Sequence, residues 1–528
     1  MKNLNLKSIH TKELVLKEKM KSKTQPKQER PQIIINRQLH EVSTKALDAL
    51  YKWNIPPKLF RRTGEVVRTR VDEMGRPIIE TATESILRRR LTEVADFYRE
   101  SFNRRTHATP SIDIVRDILA TEALPFPALE SITEIPVMRE DGSILDEAGY
   151  DGATRLYYHP AAGFESLRVS DHPSAEEVHR SVELIGEAIG EFPFAEDADR
   201  ANAFATLLSP FIRATLGGTS PLALINAPQQ GTGKGLLTDV AAYVATGRRA
   251  AMMAAPDTDE EWRKRLTATL YSGASLIVID NIEGRLEAPS LASALTAPVW
   301  RDRMLGASRL IEVPQRSTWL ATGNNIRLGG DLQRRCYWVR LDAKMAQPWL
   351  GRSYRHANLL DWVAENRPQL VGAFLTIIRA WYVAGRPVAT TQVLGGFEKW
   401  CRTVGGILEI AEVTGFLGNL QSLYEVADEE TAEWEQFLLA LAHRFPKCFS
   451  VKSVVESLKE SRLLDLLPEE LDRDRSNPQS SFSKCLGKAF SRRLDRRYGS
   501  SEARLERVGD NRDGTLWRVA FVQQVEAA

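Results

Sequence analysis

The sequence predicts an α/β fold: a parallel sheet built around a phosphate-binding loop, preceded by small α+β and helical domains and followed by a helical lid and a winged-helix domain. Three observations carry this. The apolar run Leu222-Ala223-Leu224-Ile225-Asn226-Ala227 leads directly into a glycine-rich loop and a helix, Pro228-Gln229-Gln230-Gly231-Thr232-Gly233-Lys234-Gly235-Leu236-Leu237. A second β-rich run, Ser275-Leu276-Ile277-Val278-Ile279-Asp280, ends in a carboxylate, and a third, Ser317 to Gly323, ends in Asn324-Asn325. Strand, glycine loop and helix in that order are the context in which a phosphate loop works.

Bulk properties set the frame. At 528 residues the chain is long enough for two to four domains. Hydrophobic residues at 43% and charged residues at 27% are those of a soluble globular chain, and no apolar run approaches the roughly 20 residues that a membrane span needs. A net charge of +2 leaves nucleic-acid binding to be decided by where the charge lies. The four cysteines, Cys336, Cys401, Cys448 and Cys485, form no CxxC pair, which argues against a zinc site or a disulfide framework and suits a cytoplasmic location. The basic start of the chain has no apolar stretch behind it and is not a secretory signal.

In chain order, residues 1–32 read as a basic tail, polar and Lys-rich, either simply solvated or in transient contact with DNA phosphates. A small α+β domain is expected over 33–109. It has a helix at 43–53, a hairpin whose strands Val66–Val71 and Pro77–Thr81 flank the turn Asp72–Arg76, and a second helix at 83–98. Residues 110–219 read as mainly helical, with a short strand-turn-strand near 135–145. The ATPase-type core follows over 220–345, a helical lid over 346–424 and a winged-helix-like domain over 425–528.

The loop has a direct physical reading. Gly231 and Gly233 let backbone N–H groups of Gln230, Gly231, Thr232, Gly233, Gly235 and Leu236 turn towards phosphate oxygens. The helix N-terminus adds its positive dipole end, and Lys234 adds a point charge. ATP with Mg²⁺ is the ligand pair expected. Pro228 replaces the first glycine of GxxxxGK[ST], and Gly235 replaces the hydroxyl residue that normally touches the metal. Asp280 is left as the expected Mg²⁺ residue, with water or Thr238 as further candidates.

Asn281 stands where a water-polarising glutamate is common. Glu283 is the nearest substitute, or else a surface residue at a helix start. Asn324, at a strand tip beside the Asp280 strand, is placed to hydrogen-bond a γ-phosphate or the attacking water. Arg334 and Arg335 precede another strand, Tyr337–Leu341; they read either as a trans arginine reaching a neighbouring subunit's nucleotide or as a solvated pair.

The ordered series resembles the AAA+ ATPases of the superfamily III helicase type, including the helicase portions of phage, plasmid and poxvirus primase-helicases. The residues that carry the resemblance are the phosphate loop, the Asp280 strand, Trp300–Gly306, Thr322-Gly323-Asn324-Asn325, the Arg334-Arg335 step and the upstream turn Asp141–Asp146. The resemblance implies a homo-oligomeric, hexameric ring with ATP sites between subunits. It also implies a hairpin over Ser308–Arg316 lining a channel, where Arg309 or Arg316 would touch DNA; a plain hairpin with solvated arginines is the other reading. Gly235 and Asn281 depart from the family pattern.

Past the core, apolar and aromatic residues from Leu359 to Ala384 recur at helical spacing and predict one amphipathic lid helix. The last region reads as helices followed by a hairpin of Ala503–Val508 and Thr515–Val522. Its final helix carries Lys484, Lys488, Arg492, Arg493, Arg496 and Arg497, a basic stripe suited to duplex phosphates or, alternatively, part of a protein-docking module. These features together predict an ATP-dependent, ring-forming DNA helicase of a phage or mobile element, with no membrane partner. A DNA-bound initiator or loader, or a defence-type regulatory ATPase without unwinding activity, is the competing reading.

Overall fold

The computed structural model describes residues 30–521 apart from 103, 162, 166, 305–309, 351–353, 390–391, 459–462, 477–480, 500 and 513. The expected basic tail, save its last three residues, and Arg309 therefore lie outside the described residues. The chain divides into two units, one of Met1–Ile132 with Glu147–His159 and one of Thr133–Asp146 with Pro160–Ala528. Residues 110–219, read from sequence as one helical domain, are shared between them.

In the first unit, helix Leu39–Trp53 buries Val42, Ala46, Ala49 and Leu50, one face at helical spacing. Helix Glu84–Val94 starts at Thr83, whose hydroxyl accepts the Ile86 N–H, and Ser111 caps helix Ile112–Leu119 in the same way. These helices share a core with Ile33 and Phe97. Strands Glu65–Val71 and Pro77–Thr81 pair antiparallel, and the Asp72 carboxylate accepts the N–H groups of Met74 and Arg76 to close their turn. In a separate sheet Gln32–Ile34 lies parallel to Asp96–Ser101, which pairs antiparallel with Arg104–Ala108.

The second unit is built on a five-stranded sheet in the order Met252–Ala254, Leu276–Leu286, Thr318–Leu328, Leu222–Ala227, Cys336–Arg340. Every neighbouring pair is parallel. Parallel neighbours need crossovers: helix Lys234–Thr246 follows strand Leu222–Ala227, and helix Asp259–Tyr271 links the two strands at the far edge. Leu222, Leu224, Ile279, Trp319 and Leu320 are buried, as strands covered on both faces must be. Between helix Pro289–Thr296 and the strand beginning at Thr318, Val299–Arg303 and Leu310–Pro314 form an antiparallel hairpin.

Four elements differ from expectation. The helix expected over 83–98 ends at Val94, and Asp96–Ser101 is a strand. The final helix ends at Arg492, so Arg493 and Arg496 lie beyond it and Arg497 is in the strand Arg497–Tyr498. The single lid helix expected over Leu359–Ala384 is two, Leu359–Glu365 and Arg367–Val383, meeting at Asn366. Pro368 has no N–H for a continuing helix and instead occupies the first turn of a new one. Helix Leu420–Arg444 runs 25 residues without interruption across the expected boundary at 425. It contributes Trp434 and Phe437 to a terminal core shared with Phe490, Tyr498 and Trp517. There Ala503–Asn511 and Gly514–Ala520 form a hairpin flanked by Phe449–Ser450 and Arg497–Tyr498. Among the described residues no helix is long and apolar enough to cross a membrane.

Candidate nucleotide site

The loop Pro228–Gly233 leaves strand Leu222–Ala227 and ends where Gly233, at φ +102°, caps helix Lys234–Thr246. Gly231 is also left-handed, at φ +75°. Both glycines are required twice over: a Cβ at Gly231 would lie 2.6 Å from Cε3 of Trp349, and one at Gly233 would lie 3.2 Å from the Phe192 ring. The loop is tied to the chain beyond the last strand by Gln229, whose Nε2 donates to the Met345 carbonyl.

The helix N-terminus opens on a cavity of about 440 Å³, lined by Gly231, Gly233, Lys234 and Gly235 on one side and by Asp280, Thr322 and Asn324 on the other. Lys234 Nζ donates to Asn324 Oδ1 at 2.6 Å and to the Gln229 carbonyl at 3.1 Å. Burial pulls its ammonium below the usual lysine range, and the nearby Asp280 charge partly opposes that. Asp280 Oδ1 accepts the Thr322 hydroxyl at 2.6 Å.

A bulge places that carboxylate. The register between the Asp280 strand and its neighbour shifts between Ile279 and Ile282, and Asn281 sits at φ 54°, a conformation asparagine tolerates. Its N–H donates to the Thr322 hydroxyl at 3.2 Å. On the facing strand a Cβ at Gly323 would collide with the Ile282 carbonyl, so the bulge needs a glycine opposite it.

Lys234, Asp280 and Asn324, distant in sequence, thus meet across one cavity, with Gln230 and Gly235 also in its wall. Thr232 is buried and turned back to the Gln229 carbonyl, and Leu236 is partly exposed. Glu283 is exposed and outside the cavity wall; it accepts from Asn281 Nδ2 at 3.3 Å and lies in register with Asn324. Thr238 does not serve as the missing metal hydroxyl, because it is fully buried and donates to the Lys234 carbonyl within its own helix.

A Mg²⁺ ion at this site would have Asp280 as its protein carboxylate, the rest of its donors being water and phosphate oxygens. That fits an ion which keeps several waters and takes one or two carboxylates. A Cβ at Gly235 would meet nothing within 4 Å, so there is room beside the helix start where the usual hydroxyl would stand. Among the described residues no cluster of three or more His, Cys, Asp or Glu offers a different metal site.

The arginine pair separates. Arg334 is 62% exposed and bonded to Asp331. Arg335 is turned inward, donating to the Ala292 carbonyl, to Thr296 Oγ1 and to Asp331; a side chain held by three partners in its own subunit is not free to cross to another. Arg316 is not on the hairpin: it lies beyond the second strand, and its guanidinium donates to the Gly217 carbonyl at 2.8 Å.

In the C-terminal stripe Arg493 is buried over the Trp434 ring, 4.2 Å from its centroid, and is paired with Glu470 at 2.6 Å. Arg493 is therefore a packing residue and not a phosphate contact. Arg492 lies 3.6 Å from Glu470, Arg497 pairs with Glu502 at 2.8 Å, and Arg496 covers Tyr498. Lys488 is exposed. Sequence reasoning gave no role to Thr322, Gln229, Phe192 or Trp349. Thr322 stood inside the Thr322–Asn325 motif, whereas nothing in the sequence ties Trp349 to the loop.

No protein-family model matches the chain, and no curated protein does. Among solved structures, the A form apo structure of the NrS-1 C-terminal region is 13% identical, covering 80% of this chain and 84% of that one at a TM-score of 0.33. The JCV helicase is 13% identical, covering 47% and 71% at a TM-score of 0.19. At such TM-scores neither likeness bears on the reading of the site.

Proposed function

We propose that the chain is an ATP-dependent DNA helicase that works as a homo-oligomeric ring in the replication of a phage or mobile element. The observation that carries the ATPase part is the meeting of Lys234, Asn324 and Asp280 at one helix N-terminus. Loop N–H groups would hold the β- and γ-phosphates, and Lys234 would exchange the Asn324 and Gln229 oxygens for phosphate oxygens. Asp280, oriented by Thr322, would hold Mg²⁺ through one carboxylate and water; when bound, that ion neutralises charge on the phosphates. Asn324, released from Lys234, would then orient the attacking water, with Glu283 the nearest further carboxylate along the sheet. Arg334, exposed where Arg335 is not, is the residue of the pair able to serve a neighbouring subunit.

The reading is tested with a labelled forked duplex, with and without ATP, comparing the wild type with Lys234→Ala. ATP-dependent strand separation lost in the variant is expected. DNA-stimulated hydrolysis without separation overturns the helicase reading in favour of a loader or regulatory ATPase, and absence of nucleotide binding overturns both.

A further inference from the structure

The first unit carries a surface that the nucleotide site does not explain. Strands Asp96–Ser101 and Arg104–Ala108 form a hairpin paired from Phe97↔Ala108 to Ser101↔Arg104. The neighbouring strand Gln32–Ile34 pairs with Asp96 to Tyr98, and the Asn36 side chain bonds the Glu100 N–H and carbonyl, so only the tip of the hairpin extends past these contacts. At the tip Phe102 is fully exposed and sits at φ 45°. A bulky side chain is a genuine outlier in that conformation, and this one gains no burial in return. Such strain points from an observed outlier to a hypothesis of function.

On one face of the hairpin the charges have one sign. Residues alternate faces along each strand, so Arg99 and Arg104, with Ser101↔Arg104 the last pair before the turn, share one face of the hairpin. Both are exposed, and neither has a carboxylate partner among the described residues. On the opposite face Glu100 is held by Arg37 at 2.9 Å and Arg105 at 3.2 Å, and Tyr98 stacks on His107 with ring centroids 4.7 Å apart. The partner that fits is a flexible polyanion with free aromatic faces. Single-stranded nucleic acid has both, whereas a duplex keeps its bases stacked inside and a lone phenylalanine is too small an apolar area for a stable protein interface.

We propose that this hairpin is a single-stranded nucleic-acid contact, with a base stacked on Phe102 and backbone phosphates on Arg99 and Arg104. The test uses the full chain and a fluorescein-labelled oligothymidylate without nucleotide, followed by anisotropy across a salt series. Phe102→Ala is expected to weaken binding roughly 5- to 160-fold, the range for losing one base stack. The double variant Arg99→Ala/Arg104→Ala should flatten the slope of log affinity against log salt by about 1.4, two phosphates' worth for a single strand. All three side chains are exposed, so thermal midpoints should not move.

An oligonucleotide carrying photoreactive iodouracil locates the contact independently of any DNA surface elsewhere in the chain, with crosslinks expected within 98–107. Unchanged affinity and slope in both variants, with no crosslink in that segment, overturns the proposal. Loss of self-association at unchanged DNA affinity also overturns it, assigning the edge strand to a second copy of the chain. A wild type that hydrolyses ATP but does not bind the oligonucleotide overturns it while leaving the ATP site intact.

Discussion

Lys234 lies between the Asn324 amide oxygen and the Gln229 carbonyl and donates to both. Its ammonium is half-buried and held below the usual lysine range by that burial. Phosphate binding needs the charged form, so nucleotide affinity should fall as pH rises, starting below the ordinary lysine pKa of about 10.4. Titrations of a fluorescent nucleotide between about pH 7 and pH 10 check this; a profile flat across that window contradicts it. Gly235 offers a second test. Its Cβ position is open, so Gly235→Thr should fold unchanged and supply the metal-side hydroxyl. A hydroxyl oxygen in place of one coordinated water should raise affinity in the presence of Mg²⁺ and leave it unchanged in its absence. Equal gains under both conditions would assign the effect to the helix and not to the ion.

At the scale of elements, the basic stripe shows why a charge pattern and a charged surface differ. Periodicity put Lys488 and Arg493 in one set, but the C-terminal core takes Arg493 inside, against Trp434 and Glu470, and leaves Lys488 out. Arg493→Ala should therefore destabilise by about 1–3 kcal/mol through lost packing and a charged hydrogen bond, read by thermal denaturation. Lys488→Ala should stay within about 0.5 kcal/mol of wild type. If the helix meets duplex DNA, Lys488→Ala also lowers the salt slope of duplex binding by about 1. The opposite pattern, a silent Arg493 and a destabilising Lys488, would contradict this placement. The same division runs through Arg334 and Arg335, adjacent in sequence and opposite in exposure, because the turn Gly330–Arg335 directs one side chain to solvent and the other onto helix Pro289–Thr296.

At the scale of the molecule, the proposed ring makes a prediction that no single subunit can. Mixing Arg334→Ala chains with Lys234→Ala chains should restore part of the ATPase activity, because some interfaces then combine an intact loop with an intact arginine. Arg335→Ala should instead lower stability within its own subunit. No rescue by Arg334→Ala at any mixing ratio would count against a shared site.

The sequence by itself determined the strands and the loop of the core. A buried parallel strand must be apolar along its length, a phosphate loop must be glycine-rich, and a carboxylate or amide at a strand end stands out against that background; hence Lys234, Asp280 and Asn324 were legible. Only the tertiary structure decided which hydroxyl and which aromatic approach the loop and the Asp280 carboxylate. Thr322 reaches Asp280 through a bulge, Thr238 is lost inside its helix, and Trp349 meets Gly231 from more than a hundred residues away. Side-chain direction and long-range approach depend on packing between elements, and local periodicity does not encode them.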